Sequence, residues 1–448
     1  MSPKNTRRRF LQNSAVLAAP TIIPSGLVRA AGNAAPSNRL SIGIVGLGGM
    51  GSGHLKGFLN KDDCRVVAVC DVHDAHNQNG RRKPMDKGRL PAKAAVETHY
   101  GSAADSGKFR GCDAYTDYRE LCSRKDIDGV VVATPDHWHA LIALEALGNG
   151  KDVYCEKPIV HLFAEGQVLY KTVAEQKAIF QVGSQQRSDL RFRRAAEIVR
   201  NGILGKIQRV EIGLPGGKTK PEGDSSLTKV PEGLDYDFWC GPSKALPFNG
   251  ARHHWSWRWN TNFGAGQLMD WIGHHNDINN WALDLDKEGG PLTVEAVGWK
   301  MPDFDLYDTP IDYEVKCTYK GGIKTSISNR YPNGIKWIGE NGWVFVSRGK
   351  LEASNKEWII EKFDRGPIKL YESKDHKSNW LDGIRTRTEC IAPARVGHRS
   401  ITPGHIGWVS YRTGRKLKWD DATESIVNDD TADKMLKAVD YRGDWNLA

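Results

Sequence analysis

The chain has 448 residues, of which 39% are hydrophobic and 26% are charged, an ordinary composition for a folded protein. It is long enough to bury two or three cores, and its composition is neither fibrous nor disordered. The formal net charge is +9, but residues 1–30 carry five of the basic side chains and no acid, so removing them lowers it to +4. Because no basic run interleaved with aromatic residues follows, we expect no nucleic-acid partner.

The beginning of the chain has the features of a twin-arginine export signal. Residues 6–12 read TRRRFLQ, a weakly apolar stretch follows over 15–27, and a small-residue cleavage region covers 28–31. We predict that residues 1–32 are a signal peptide and linker, and that the twin-arginine machinery exports the folded protein to the periplasm or another extracytoplasmic compartment. The alternative is a cytoplasmic chain with a basic tail. No later segment has the ~20 consecutive apolar residues of a membrane span, so we expect no stable span.

An apolar run at residues 40–45 leads into a glycine-rich turn. The turn has the pattern GxGxxG and consists of Gly46, Leu47, Gly48, Gly49, Met50 and Gly51. The first glycine permits a tight turn, the second lets a pyrophosphate approach the backbone, and the third lets the following helix, 52–59, pack on the strand. This spacing predicts a dinucleotide site with the phosphates at the helix N-terminus.

The next apolar run, 65–70, ends at Asp71, which lies 25 residues after Gly46. An acidic side chain at this place accepts hydrogen bonds from the adenosine ribose, which favours NAD over NADP. Arg81 and Arg82 in the loop beyond have the chemistry to receive a 2′-phosphate, although a solvated loop is their simpler interpretation.

Further β-like runs at 129–133 and 152–155 alternate with helical segments at 92–100 and 139–148, as a doubly wound parallel sheet requires. Ligands of such sheets bind beyond the carboxyl ends of the strands. The residues at these ends are Thr134, Pro135 and His139 after one strand, and Glu156, Lys157 and Pro158 after the other.

These two sets resemble the glucose-fructose oxidoreductase and inositol dehydrogenase family, usually written Gfo/Idh/MocA. Further matches are 181–187 (QVGSQQR), 204–207 (LGKI) and 266–277 (GQLMDWIGHHND), so the resemblance covers nearly all of the mature chain. It implies an α/β N-terminal Rossmann domain with a doubly wound parallel sheet, and a C-terminal α+β domain with an open, mostly antiparallel sheet.

The resemblance implies an NAD-binding domain over 38–160, with its boundary near Val160. A substrate-binding and oligomerisation domain would follow over 161–448, with a C-terminal segment that returns to the first domain. The β-like runs expected in the second domain are 207–214, 292–299, 312–319, 322–329 and 343–346, and helical runs follow at 379–388 and 405–416. Since the family often pairs its open sheets, we expect a homodimer or homotetramer.

The resemblance assigns catalytic roles to Lys157, Asp270 and His274. Asp270 and His274 are spaced i, i+4 in a predicted helix and share one face, with Asp277 at i+7. We expect His274 to act as the acid/base, Asp270 to orient it, and Lys157 to be the electrophile or proton relay, with the roles of Lys157 and His274 open to exchange. Without this resemblance, the simpler interpretation of Asp270 and His274 would be an ion pair on a helix surface.

The residues expected to contact NAD are Gly46, Gly48, Gly49, Met50, Gly51, Asp71, Thr134, Pro135, His139, Glu156 and Lys157.

Tryptophans crowd the region before the predicted catalytic helix. Trp255, Trp257 and Trp259 alternate within 254–260, which predicts one face of an extended segment, and at least one of them is expected to line the substrate pocket. The candidate substrate contacts are Gln185, Arg187, Trp255, Trp257, Trp259 and Asp277.

We predict neither a metal site nor a disulfide. The eight cysteines lack paired CxxC spacing and are expected to be buried thiols. His253, His254, His274 and His275 suggest a metal, but adjacent histidines diverge and HExxH spacing is absent from the sequence.

These features together predict an NAD-dependent oxidoreductase that acts on a hydroxyl of a sugar, glycoside or polyol. An exported enzyme is not expected to meet a free NAD pool, so the cofactor would be tightly held. That consideration raises an alternative, a redox-neutral NAD-dependent glycosidase or lyase that works through a transient keto-sugar. Glu156, Lys157 and Pro158 form an intact EKP motif, which favours ordinary redox chemistry. In the glycosidase branch associated with this fold, the motif is altered.

Overall fold

The computed structural model describes residues 39–77, 86–101, 111–287 and 289–447. The predicted signal peptide and linker, residues 1–32, lie outside the described residues, and so do Arg81 and Arg82. Among the described residues, no helix combines the length and the hydropathy needed to cross a membrane. All eight cysteines are buried and free.

The first domain is built on a six-stranded parallel sheet. Its strands are β1 (Leu40–Val45), β2 (Cys64–Cys70), β3 (Asp113–Tyr115), β4 (Gly129–Val132), β5 (Asp152–Cys155) and β6 (Phe180–Val182). They lie in the order β3-β2-β1-β4-β5-β6, so the strand order reverses between β1 and β4. Every residue of β4 and β5 is buried, because crossover helices cover both faces of a parallel sheet.

The helices of this domain are α1 (Gly49–Leu59), α2 (Arg89–Gly101), α3 (Tyr118–Ser123), α4 (His139–Gly148) and α5 (Phe163–Gln176). Strands and helices alternate as the sequence predicts. The boundary near Val160 is wrong, however, because β6 pairs with β5 in the first sheet well beyond that residue. The strand is short and its three residues are all buried, so it has no alternating pattern to identify it.

The second domain contains a nine-stranded, mostly antiparallel sheet, which confirms the predicted fold class. Its strands are β7 (Ile207–Gly213), β8 (Thr293–Lys300), β9 (Asp312–Thr318), β10 (Lys324–Ser328), β11 (Gly334–Gly339), β12 (Gly342–Ser347), β13 (Lys350–Ala353), β14 (Leu417–Asp420) and β15 (Ser425–Val427). Their order is β13-β12-β11-β7-β10-β9-β8-β14-β15, in which β7 and β10 pair in parallel and the other neighbours pair antiparallel.

The helices of the second half are α6 (Leu190–Arg200), α7 (Tyr236–Cys240), α8 (Gly266–Leu283), α9 (His376–Thr386), α10 (Ala394–Thr413) and α11 (Asp430–Lys437). Helix α8 lies against the buried face of the second sheet. The indole nitrogen of Trp337 donates to Oδ1 of Asn279 at 3.0 Å, and Nδ1 of His275 lies 2.9 Å from the carbonyl oxygen of Gly213. These contacts fix the rotation of α8 and hence the direction in which Asp270 and His274 point.

Helix α9 and the connection between β7 and α8 are among the later parts of the chain that contact the first domain. Helix α9 places Trp380 edge-on against Phe58 and Tyr154, at ring-centroid distances of 5.8 Å. The connection between β7 and α8, residues 214–265, also reaches back, and we call it the covering segment. Within it, Gly233 accepts from the backbone N–H of Asp74 at 2.9 Å, and Asp235 donates to the carbonyl of Val72 at 3.0 Å. The first domain therefore carries a cover supplied by the second half of the chain.

Candidate functional site

The predicted cofactor residues meet in one cleft at the carboxyl ends of β1, β4 and β5. The cleft is lined on one side by the glycine-rich turn and the residues after β4 and β5, and on the other by part of the covering segment. It lies beside the reversal of strand order, where an open parallel sheet leaves a crevice for a ligand. The fold therefore places the candidate site at the interface of the first domain and its cover.

Three glycines of the turn differ in the space that the protein leaves beside them. Gly46 has a φ of 87°, and a side-chain carbon there would come within 2.7 Å of the backbone of Ala133. A side-chain carbon on Gly51 would overlap the carbonyl oxygen of Gly46. A side-chain carbon on Gly48, in contrast, would have no neighbouring atom of the described residues within 4 Å. The turn is thus closed against the protein and open toward the cleft, and this arrangement fits a dinucleotide pyrophosphate.

Asp71 stands at the end of β2 with its carboxylate held by the backbone. One oxygen accepts from the N–H of Leu47 at 2.6 Å and the other from the N–H of His73 at 2.9 Å. Burial raises the pKa of Asp71 above its ordinary value. The two N–H groups fix the carboxylate in the cleft, where its remaining lone pairs are placed to accept from ribose hydroxyls.

The residues after β4 divide into two roles. Thr134 and Pro135 line the cleft, and the Thr134 hydroxyl has no partner among the described residues. His139 also lines the cleft, but its Nδ1 lies 2.7 Å from the carbonyl oxygen of Pro158 and its Nε2 lies 3.0 Å from that of Thr134. The ring of His139 therefore joins the loops that follow β4 and β5 and positions both.

Glu156 belongs to a buried polar network. Its Oε1 lies 2.8 Å from Nε2 of His54 and accepts from the amide of Gln185 at 3.0 Å. Burial would raise the pKa of Glu156, but the hydrogen bond with His54 and the charge of Lys157 hold it below its ordinary value. Gln185, a predicted substrate contact, is engaged here instead. The sequence did not single out His54, which lies on α1 one turn beyond the glycine pattern.

Lys157 connects the two domains at the cleft. Its Nζ donates to Oδ1 of Asp270 at 2.9 Å and to the backbone carbonyl of Asp270 at 2.8 Å. The Nε of Arg258 donates to the same Oδ1 at 3.2 Å. Burial would raise the pKa of Asp270, but the adjacent cations of Lys157 and Arg258 hold it well below its ordinary value. Asp270 is thus a shared counter-charge for two cations.

His274 lies one turn after Asp270 on α8, and the two are not hydrogen-bonded. The expected orienting role of Asp270 toward His274 is therefore wrong, because the carboxylate faces Lys157 and Arg258. The Nδ1 of His274 has no hydrogen-bond partner among the described residues. Burial and the charges of Lys157 and Arg348 lower the pKa of His274 well below 6.5, so the imidazole is neutral at pH 7.

The three tryptophans do not share one face, so the predicted extended segment is wrong. Residues Ser256–Trp259 form a 3₁₀ turn, and His254 just before it has a left-handed φ of 50°. Trp255 and Trp257 line the cleft and hold the Arg258 guanidinium at 4.4 and 4.3 Å from their ring centroids. Trp259 is buried away from the cleft lining. The sequence interpretation did not single out Arg258, although an arginine that directly follows Trp255 and Trp257 in WSWR is a signal for a cation–π contact.

Arg187 and Asp277 form a buried ion pair in place of the predicted substrate contacts. Nε of Arg187 lies 2.8 Å from Oδ2 of Asp277, and its other nitrogens reach Asp286 at 2.8 Å. The side chains of Arg187 and Asp277 are 2% and 0% exposed. Burial raises the pKa of Asp277 to about 6 in spite of Arg187. The pair connects the loop after β6 to the middle of α8 and has a structural role.

Replacing Asp277 by Asn will lower the free energy of unfolding by ~3–5 kcal/mol, because it leaves the Arg187 charge only partly compensated in the core. Urea denaturation measures this loss. The matched control is Asp382→Asn on α9, whose carboxylate is 69% exposed and 3.7 Å from Arg385, and which should change stability by less than ~1 kcal/mol. If the Asp277→Asn variant keeps the wild-type free energy of unfolding but has a raised KM, Asp277 contacts the substrate and this structural role is wrong.

Replacing Gly48 by Val will weaken NADH binding at least ~tenfold while the protein stays folded, since the branched side chain enters the open side of the turn. Fluorescence titration with NADH gives the affinity, and circular dichroism reports the fold. Gly53→Val is the control, because Gly53 is exposed on α1 and also has open space beside it. Equal NADH affinities for the two variants would contradict this placement of the pyrophosphate.

Comparison with known proteins identifies the family. Residues 40–184 match the model of an oxidoreductase family with an NAD-binding Rossmann fold, and residues 189–447 match the C-terminal alpha/beta domain of the same family. Myo-inositol 2-dehydrogenase of Thermotoga maritima is 26% identical over 390 residues, which cover 85% of this chain and 95% of that protein. Inositol 2-dehydrogenase of Salmonella typhimurium is 32% identical over 187 residues, 41% of this chain, and the match spans about half (48%) of that relative.

A solved structure shows the same fold. The WlbA dehydrogenase from Bordetella pertussis, in complex with NADH and UDP-GlcNAcA, superposes with a TM-score of 0.60 at 18% identity, over 85% of this chain and 99% of that one. Both family models match in order and together account for nearly all of the described residues. The chain belongs to the Gfo/Idh/MocA oxidoreductase family.

Proposed function

We propose that the protein is an NAD-dependent oxidoreductase that oxidises a hydroxyl of a sugar, glycoside or polyol. The observation that carries this proposal is the Lys157–Asp270 pair, which lies at the cleft that the glycine-rich turn opens into. The inositol dehydrogenases among its relatives support a cyclic polyhydroxylated substrate. A non-enzymatic sugar-binding protein would require neither this pair nor a neutral buried histidine beside it.

The reaction divides between two side chains of this chain. Bound NAD would supply the acceptor for the hydride of the substrate C–H bond. Burial lowers the pKa of His274, which favours the neutral imidazole, and its Nδ1 has no partner among the described residues, so it is suited to accept the proton of the reacting hydroxyl. Lys157 carries the cation that stabilises negative charge developing on the substrate oxygen, and Asp270 holds its ammonium group in place. Within this proposal His274 is the base and Lys157 the electrophile, one of the two assignments that the sequence leaves open.

Substrate binding would use the aromatic side of the cleft. Trp255 is 41% exposed and lines the cleft beside Trp257, with Arg258 between the two rings. Aromatic faces pack well against the C–H surfaces of sugars, and a guanidinium donates to hydroxyl oxygens. We place the substrate between this group and Lys157.

The proposal includes NAD in preference to NADP, retention of the cofactor, and export. Asp71 would repel a 2′-phosphate, and the covering segment places Leu234, Phe238 and Trp239 along the cleft, where they would hinder release of a bound dinucleotide. Retention suits a protein exported by the twin-arginine route, which carries folded chains. We further propose a homodimer or homotetramer that pairs the open second sheets.

A covered cleft also supports a second candidate function. If the cofactor is reoxidised in place, oxidation of one ring hydroxyl to a ketone acidifies the neighbouring C–H, so a base can remove that proton and expel a glycosidic substituent. Water then adds and the ketone is reduced, with no net redox change. The same His274 and Lys157 would serve this glycosidase or lyase, with one of them acting as the base at carbon.

Replacing Lys157 by Ala will lower kcat at least ~100-fold, because the variant loses the cation at the substrate oxygen. NADH affinity, measured by fluorescence, should change far less. Lys171→Ala removes the same charge from an exposed position on α5 and should keep wild-type kcat. Wild-type activity in Lys157→Ala would refute this role for the side chain.

Recording absorbance at 340 nm together with the sugar products will distinguish the two reactions. The protein is purified with its native cofactor and tested with a panel of free sugars and glycosides. Oxidised sugar in a one-to-one ratio with the rise at 340 nm is the expected outcome for the dehydrogenase. Catalytic release of the aglycone without net absorbance change would establish the redox-neutral reaction instead.

A further inference from the structure

A group of three histidines lies at the edge of the cleft and is not used by the proposed reaction. His73 and His76 belong to the loop that follows β2, whereas His254 belongs to the covering segment. One ring nitrogen from each lies within 4.8 Å of the other two. The group thus joins two parts of the chain that are distant in sequence.

One buried ring nitrogen of this group, and both ring nitrogens of a neighbouring histidine, have no partner among the described residues. Nδ1 of His73 is buried and has no partner among the described residues. The neighbouring His253 is 4% exposed, its ring lies 3.9 Å from that of His254, and neither of its nitrogens has a partner there. Burying an unpaired polar nitrogen costs free energy, so a buried set of them indicates a missing partner.

One histidine already has the orientation of a metal ligand. Nδ1 of His76 lies 3.1 Å from the carbonyl oxygen of Asn77, which leaves Nε2 free to face the group. A hydrogen bond from the second ring nitrogen to a carbonyl is the usual outer contact of a metal-bound histidine, because it fixes both tautomer and ring direction. The rings of His76 and His254 are stacked with their centroids 4.0 Å apart, so the two side chains already lie next to each other across the junction.

The chemistry of the set selects the class of ligand. Three imidazoles favour zinc or a similar divalent transition metal, and Zn–N bonds of about 2.0–2.1 Å place the nitrogens of a tetrahedral site about 3.3 Å apart. The carboxylates of Asp71 and Asp74 lie in the same loop, and Asp74 is paired with Arg89. The protein supplies three imidazole ligands and leaves one position for water or for an oxygen atom in the cleft.

We propose that His73, His76 and His254 bind a divalent transition metal that fastens the covering segment to the first domain. Two backbone hydrogen bonds already join these parts, between Asp74 and Gly233 and between Asp235 and Val72. A metal bound across the junction adds a stronger constraint and holds the left-handed His254 in place. The adjacent pairs His253–His254 and His274–His275 diverge, which is why the sequence predicts no metal. The HxxH spacing of His73 and His76 is the signal that points to this site.

Zinc binding to untagged protein, freed of metal by chelation, tests this site without any dinucleotide or sugar, so its failure is separate from failure of the proposed reaction. Equilibrium dialysis against Zn²⁺ with elemental analysis should give about one zinc per chain. His76→Asn and His254→Asn should each lower the affinity at least ~tenfold. His99→Asn, at an exposed histidine on α2, is the matched control and should retain wild-type affinity.

Zinc should also raise the Tm of the wild type and of His99→Asn, but not that of His254→Asn, because a ligand that binds only the folded state stabilises it. His76→Cys restores a zinc ligand and should recover binding, which shows that the loss in His76→Asn is not a folding defect. Less than about a tenth of a zinc per wild-type chain, or equal affinity in all variants, would overturn the proposal.

Discussion

The geometry of the cleft depends on the ion pair between Lys157 and Asp270. Each side chain is 12% exposed, and each would be costly to bury alone, because a desolvated charge is stabilised only by a well-placed partner. Lys157 comes from the loop after β5 and Asp270 from α8, so the pair forms only when the two domains are docked. Arg258 adds the covering segment to the same carboxylate. One buried carboxylate thereby holds together the three parts of the chain that surround the site.

Contacts farther from the cleft hold the two domains together, as the Lys157–Asp270 pair requires. Arg187 holds the middle of α8 through Asp277, and Trp380 of α9 packs into the core of the first domain. These side chains are almost fully buried, so they contribute free energy of unfolding and not chemistry. These contacts affect function indirectly, because a shift of α8 would move Asp270 and His274 relative to the glycine-rich turn.

Several buried histidines lie in or near this cleft, and the surroundings of each ring determine its role. His139 joins two loops by contacts with two carbonyls, His275 packs against Gly213, and Nδ1 of His274 has no partner within the described part of the chain. His73 and His254 face each other across the junction of the covering segment. Burial lowers the pKa of each of these rings, which favours the neutral form over the cation.

The sequence by itself determined the fold class, the alternation of strands and helices in the first domain, the glycine-rich turn and the position of Lys157. These features are local, because a turn, a strand end or a helical period is encoded in adjacent residues. It did not determine the course of the covering segment, the domain limit beyond Val160, or the partners of Asp270 and Arg187. Those were decided by the tertiary structure, because a short buried strand, a 3₁₀ turn and an ion pair between distant residues depend on packing. The same reason explains why the histidines of the proposed metal site could be counted in the sequence but brought together only by the fold.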